Sequence, residues 1–185
     1  MAKPVPRLTP DDIQRIIATA WDDKPPFDRV LRQHGLKLAD IQAVIGGMAP
    51  MDGAKDFLDE LRTRFQVIIL SDTFYEFADP MMRQLGRPTL FCHKLEVAED
   101  GTITDYKLRQ PDQKTMAIKA FHSLNYRCIA AGDSYNDTGM LSEAEQGILF
   151  DAPENVIREF PQFPVTHNYE ELKAEIRKAS LRKIP

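Results

Sequence analysis

The chain reads as an α/β protein, a doubly wound, Rossmann-like sheet preceded by a helical segment. From Pro50 onward helical stretches alternate with short apolar runs, and such strand–helix alternation folds into a parallel sheet. QVIILS (Gln66–Ser71) is a continuous β-branched run of the kind buried on both faces of a parallel sheet, and YRCIAAG (Tyr126–Gly132) reads as a second strand. Residues 1–48 follow a different rhythm, with apolar side chains at helical spacing only.

Residues 1–9 are Pro-rich and polar and read as a tail. Thr9 can cap a helix that has Pro10 at its first position, acidic Asp11 and Asp12 next, and Ile13, Ile16, Ile17, Ala20 and Trp21 on one face. Lys24-Pro25-Pro26 ends it. A short helix through Phe27, Val30 and Leu31 stops at Gly35, and a third, carrying Leu38, Ile41, Val44 and Ile45, stops at Gly46-Gly47. Ala54–Phe65 is expected to be helical, Gln66–Ser71 a strand, and Phe77–Leu85 a helix closed by Gly86. The segments from Thr89 and from Thr102 flank Asp100-Gly101 and predict a β-hairpin. Then follow a helix over Lys114–Leu124, a strand over Tyr126–Gly132, a helix over Thr138–Glu145 and a short strand over Gly147–Phe150. Helices over Glu154–Phe160 and Tyr169–Ser180 close the chain.

At 185 residues the chain suits one compact domain with a small appendage, divided as a helical segment or partial cap at 1–48 and an α/β core at 49–185. Its 43% hydrophobic and 28% charged residues are ordinary for a globular protein. A net charge of −4, with no dense Lys/Arg stretch, gives no electrostatic case for nucleic acid as a partner. No segment approaches the ~18 apolar residues of a membrane span, and the N-terminus lacks the apolar core of a signal peptide. Cys92 and Cys128 stand in separate apolar stretches without metal-ligand spacing, as buried free thiols do; a disulfide is the alternative. A cytoplasmic protein is expected.

Three features stand at strand ends or helix starts, where open parallel sheets bind ligands. Ser71-Asp72-Thr73 follows VIIL; its hydroxyl can donate to a phosphate oxygen, or merely cap the next helix. GDSYND (Gly132–Asp137) follows YRCIAA and places Asp133 and Asp137 around a strand-to-helix turn, with Asn136 beside them. Hard oxygen ligands at such a turn suit Mg²⁺; a capped Asx-turn is the plainer reading. Lys114 opens a helix, where a cation opposes the helix dipole unless an anion is near, although a solvated surface lysine is also ordinary there.

The order of these features, a strand ending in Ser, then a Lys, then Gly-Asp-x-x-x-Asp, is similar to motifs two to four of the haloacid dehalogenase superfamily. HGLKLADIQ, VIILSDTFYEF, MRQLGRPTLFCHKLE, YRCIAAGDSYND and MLSEAEQGILFDAPENVIREFPQFP together resemble its bifunctional phosphoserine phosphatase/homoserine phosphotransferase branch, over residues ~34–185. The resemblance implies a haloacid dehalogenase core and a small phosphorylated amino acid, phosphoserine-like, as ligand. Ser71, Asp72, Lys114 and Asn136 would bind phosphate and substrate. Asp133 would hold Mg²⁺ directly and Asp137 would support that metal site. A phosphoaspartate would link hydrolysis to transfer onto homoserine.

That chemistry needs a strand ending in Asp-x-Asp, ahead of the other motifs, to supply the nucleophile and the acid/base. Residues 1–33 hold only the adjacent pairs Asp11-Asp12 and Asp22-Asp23, at the ends of the amphipathic helix. Residues ~8–35 instead resemble the opening of a small bacterial family of unknown function. The expectation is therefore a core lacking its motif-one strand, with no catalytic nucleophile and turnover lost. The gap would be closed by pairing Gln66–Ser71 directly with Tyr126–Gly132, or by a homodimer. Two other readings are a non-catalytic phosphate-binding or scaffold protein, and a helix-turn-helix DNA-binding module. Against the latter, Leu36–Met48 offers Lys37 as its one basic residue.

Overall fold

A computed structural model of the protein describes Thr9 and residues 37–181. The helices expected over 10–24 and 27–35 lie outside the described residues, as do Asp11, Asp12, Asp22 and Asp23. The chain divides into two compact units between Arg109 and Gln110. The boundary expected between residues 48 and 49 thus falls inside the first unit.

In the first unit, α1 (Leu38–Gly46) and α2 (Ala54–Arg62) precede β1 (Ile68–Phe74), α3 (Tyr75–Gln84), β2 (Thr89–Val97) and β3 (Ile103–Lys107). β1 and β2 are parallel, joined through α3, and β2 pairs antiparallel with β3 as the expected hairpin. Gly101, at φ +81°, turns that hairpin in the left-handed region glycine tolerates. Ile41 and Ile45 of α1 share one core with Phe74, Phe77, Leu95 and Ile103. At roughly 1.5–3 kcal/mol for each large apolar side chain buried, this core binds α1 to the sheet.

α3 carries Pro80 in its interior, where proline cannot donate to the carbonyl four residues back. That carbonyl, on Glu76, accepts instead from Gln42 Nε2 of α1 at 2.8 Å, and the Glu76 carboxylate accepts from the Leu95 N–H at 2.9 Å. One residue of α3 is therefore tied to both α1 and β2.

In the second unit, α4 (Gln113–Ser123) leads to β4 (Ile129–Gly132), a 3₁₀ turn (Tyr135–Asp137) and α5 (Thr138–Glu143). Then come β5 (Gln146–Phe150), α6 (Glu154–Glu159), β6 (Val165–Thr166) and α7 (Tyr169–Leu181). β4, β5 and β6 form a parallel sheet in that order. Ile148 and Leu149 on the middle strand are fully buried with Leu141 and Val156. No described helix is long and apolar enough to cross a membrane.

Two strand expectations are corrected. β1 starts at Ile68 rather than Gln66 and runs on through Phe74, so Ser71 lies inside the strand rather than ending it, and Asp72 is a strand residue too. β4 starts at Ile129 rather than Tyr126, because the Tyr126 N–H bonds to the Phe121 carbonyl and the Cys128 N–H to Glu145 Oε2, which takes both from any ladder. β6, two residues long, has no periodicity to read and was not expected.

Candidate functional site

GDSYND bends immediately after β4. Its backbone is organised by Asp137, which is 5% exposed. Asp137 Oδ2 accepts from the N–H of Asp133 at 3.0 Å, from the N–H of Ser134 at 3.3 Å and from Ser134 Oγ at 3.1 Å. Ser134 and Asp137 form a reciprocal capping box on the 3₁₀ turn. Ser134 Oγ also bonds to Asn136 Oδ1. The plainer reading of the motif, a capped turn, therefore describes Asp137 well.

The other Asp137 oxygen, Oδ1, takes the Lys114 ammonium at 2.8 Å. Both side chains are nearly sealed, 9% and 7% exposed, so the surface-lysine reading of Lys114 is corrected. Lys114 stands in the first turn of α4, after Asp112 in a left-handed conformation. Its charge opposes the helix dipole there, and the Asp137 carboxylate offsets that cost.

Gly132 makes the approach possible. A Cβ at this residue would lie 2.5 Å from Asp137 Cβ and 2.6 Å from Asp137 Oδ2. The requirement is space beside the carboxylate, since Gly132 is not among the positive-φ residues.

Asp133 is the open carboxylate of the turn. Loss of hydration, and then the negative charge of Asp137, push its pKa above the ordinary carboxylate value, against the attraction of Lys114. Both Asp137 oxygens being engaged within the protein, Asp133 is the group in this turn that could hold a divalent cation through its carboxylate. A hard oxygen donor at the mouth of a strand fits Mg²⁺ completed by water and ligand oxygens.

Of the expected residues, Lys114, Asp133, Asn136 and Asp137 come together in the second unit. Ser71 and Asp72 belong to the first. Ser71 Oγ accepts from the Thr73 N–H at 3.3 Å, and α3 starts four residues later, so Ser71 is no helix cap. Asp72 Oδ1 lies 3.9 Å from His93 Nε2. His93 Nδ1 accepts the Arg109 backbone N–H at 3.1 Å, which leaves Nε2 as the ring's proton-bearing nitrogen toward Asp72. Arg109 stacks its guanidinium 4.2 Å over Phe91 and donates to Tyr75 Oη at 3.2 Å. His93 and Arg109 were not singled out from the sequence. The β1–β2 register, Phe74 opposite His93, is what brings the imidazole to Asp72, and no local pattern encodes it.

Cys92 and Cys128 are buried and free, as expected. Burial, then the charge of Glu76, pushes the Cys92 thiol up to about 12.

The described family of haloacid dehalogenase-like hydrolases matches residues 10–145. A Pseudomonas aeruginosa protein named phosphoserine phosphatase ThrH is 64% identical over 169 residues, covering 88% of this chain and 82% of the relative. A Pseudomonas syringae pv. tomato protein named phosphoserine phosphatase is 63% identical over 169 residues, 88% of this chain and 71% of its own. Among solved structures, a phosphoserine phosphatase in apo form shares the fold, with a TM-score of 0.67 at 20% identity, over 90% of this chain and 84% of that one.

Proposed function

The chain belongs to the haloacid dehalogenase-like hydrolases, and from that premise we propose that it is a phosphoserine phosphatase-type protein that binds a small phosphorylated amino acid together with Mg²⁺ but does not turn it over. The observation that carries this reading is the sealed Lys114–Asp137 pair beside the open Asp133 carboxylate. A buried lysine at a helix start, paired with the Asp137 carboxylate, places a cation where a phosphate can bind. The high identity to two proteins named phosphoserine phosphatase supports phosphoserine as that anion's class.

In this reading Lys114 neutralises the phosphoryl charge and Asn136 contacts the substrate. Asp133 holds the cation, with Asp137 fixing the backbone that presents it. Mg²⁺, when bound, supplies a Lewis acid for a phosphoryl oxygen. Transfer needs a carboxylate in line with the leaving oxygen, ordinarily the first of an Asp-x-Asp pair, and no two aspartates of this chain stand two residues apart. Asp137 is committed to Lys114 and to the turn, so it cannot take that role.

The test is phosphoserine hydrolysis, and transfer to homoserine, by the purified full chain with Mg²⁺, alongside calorimetry with phosphoserine. Binding without turnover is expected, with affinity falling at least about tenfold in Lys114→Ala, since a charge-assisted contact is removed. Turnover at enzymatic rates, abolished by Asp133→Ala, would overturn the loss of catalysis and direct attention to Asp22 and Asp23. Unchanged affinity in a folded Lys114→Ala would remove Lys114 from the site.

A further inference from the structure

The two ends of β4 carry different chemistry. Asp133 follows its C-terminal end. At the other end, three side chains from three segments converge: His122 near the end of α4, Cys128 just before β4, and Glu145 just before β5. One potential ligand atom from each lies within 4.8 Å of the other two. Cys128 and Asp133 are five strand steps apart, about 16 Å at ~3.3 Å per residue, so this cluster is separate from the phosphate end.

We propose that His122, Cys128 and Glu145 form a binding site for a borderline-soft divalent transition metal of the Zn²⁺ class. The donor set argues for the class. A thiolate, an imidazole and a carboxylate suit Zn²⁺ or Co²⁺ and not Mg²⁺, which takes oxygen ligands. The distances argue for the geometry. His122 Nε2 and Glu145 Oε2 are 3.1 Å apart. Two ligands at about 2.0–2.2 Å from a tetrahedral ion stand roughly 3.4 Å apart, so a metal enters with a shift of a few tenths of an ångström.

The surroundings support each ligand. Glu143 Oε1 lies 3.7 Å from His122 Nδ1, the position of the carboxylate that orients a metal-bound imidazole through its other nitrogen. Glu145 Oε2 also accepts the Cys128 N–H at 2.7 Å, which fixes the carboxylate against the residue whose sulfur it would join at the ion. That bond uses one lone pair of Oε2 and leaves another for the metal. Cys128 is 9% exposed, whereas the His122 and Glu145 side chains are 27% and 39% exposed, so the ion has an entry from solvent. Three protein ligands leave a fourth position for water. Binding converts the Cys128 thiol to a metal thiolate and releases its proton to solvent. Burial and the Glu145 charge hold that thiol protonated in the free protein.

The test is titration of the full chain with Co²⁺, read by the thiolate-to-cobalt charge-transfer absorption and by tetrahedral d–d bands, with Zn²⁺ as competitor. One equivalent with a thiolate band, displaced by Zn²⁺, is expected. Cys128→Ser should abolish the band, whereas Cys92→Ala and Asp133→Asn should keep it. Because Cys128 is buried, Glu145→Gln gives a second measurement. The amide oxygen still accepts the Cys128 N–H, so melting should stay within a degree or two while Co²⁺ affinity falls about tenfold or more. Absence of a thiolate band in the wild-type chain, its persistence in Cys128→Ser, or full affinity in Glu145→Gln would each overturn the site.

Discussion

The Lys114 ammonium and Asp137 Oδ1 lie 2.8 Å apart with both side chains almost sealed from water, while the second Asp137 oxygen holds the turn that presents Asp133. One carboxylate thereby sets the position of the cation and of the candidate metal ligand. Breaking a buried pair by removing one partner costs about 3–5 kcal/mol, since the remaining charge loses its compensation.

Asp137→Ala should therefore destabilise the protein by at least that range, because the three capping bonds go too. Asp137→Asn, which keeps an acceptor for the turn, should lose less. Urea unfolding of the two variants checks the order, and a loss below ~1 kcal/mol for Asp137→Ala would mean the pair is not buried in solution.

Gly132→Ala inserts a methyl group 2.5 Å from Asp137 Cβ. The contact is with the base of a side chain pinned by Lys114 and by the turn, so the aspartate cannot swing aside without breaking both. The expected outcome is a loss of about 1–3 kcal/mol, as for overpacking elsewhere, with a parallel loss of phosphoserine affinity in calorimetry. An unperturbed melting curve would show that the turn gives way freely.

The raised pKa of Asp133 has a definite sign. The unfolded chain ionises this carboxyl first, near its ordinary 3.8, so its contribution to stability is lost as pH rises from there through the higher folded value. At neutral pH without divalent cations, Asp133→Asn should raise the melting temperature, and below pH 3.8 the two proteins should converge. Adding Mg²⁺ should raise the wild-type midpoint and leave Asp133→Asn unmoved. An Mg²⁺ response equal in both would place the cation elsewhere.

Cys92 gives an alkaline counterpart. Its thiol rises from an ordinary 9.0 to about 12 on folding, through burial and then Glu76. Above pH 9 the unfolded chain gains thiolate that the folded chain resists, so stability should fall between about pH 9 and 12. The same decline should be shallower in Cys92→Ala, measured by denaturant midpoints at pH 8, 9.5 and 11. Equal slopes would assign the alkaline loss to tyrosines and lysines.

Local sequence determined most of the elements and the chemistry of the turn. β-branched runs, the Asp100-Gly101 hairpin signal and the Gly147–Phe150 strand are each set by neighbours a few residues apart. So is the content of GDSYND, whose oxygen-bearing side chains already implied a capped turn and a cation. What only tertiary structure decided are relations between distant residues. The burial of Lys114 depends on α4 meeting the turn after β4. The meeting of His93 with Asp72 depends on strand register, and the joining of α1 to the sheet depends on a shared core of Ile41, Ile45 and Phe74. The start of β4 at Ile129 has the same origin, because Glu145, 17 residues along the chain, takes the Cys128 N–H that a longer strand would use. Periodicity is a property of consecutive residues, whereas side-chain competition for a backbone donor depends on which segments the fold brings within hydrogen-bonding distance.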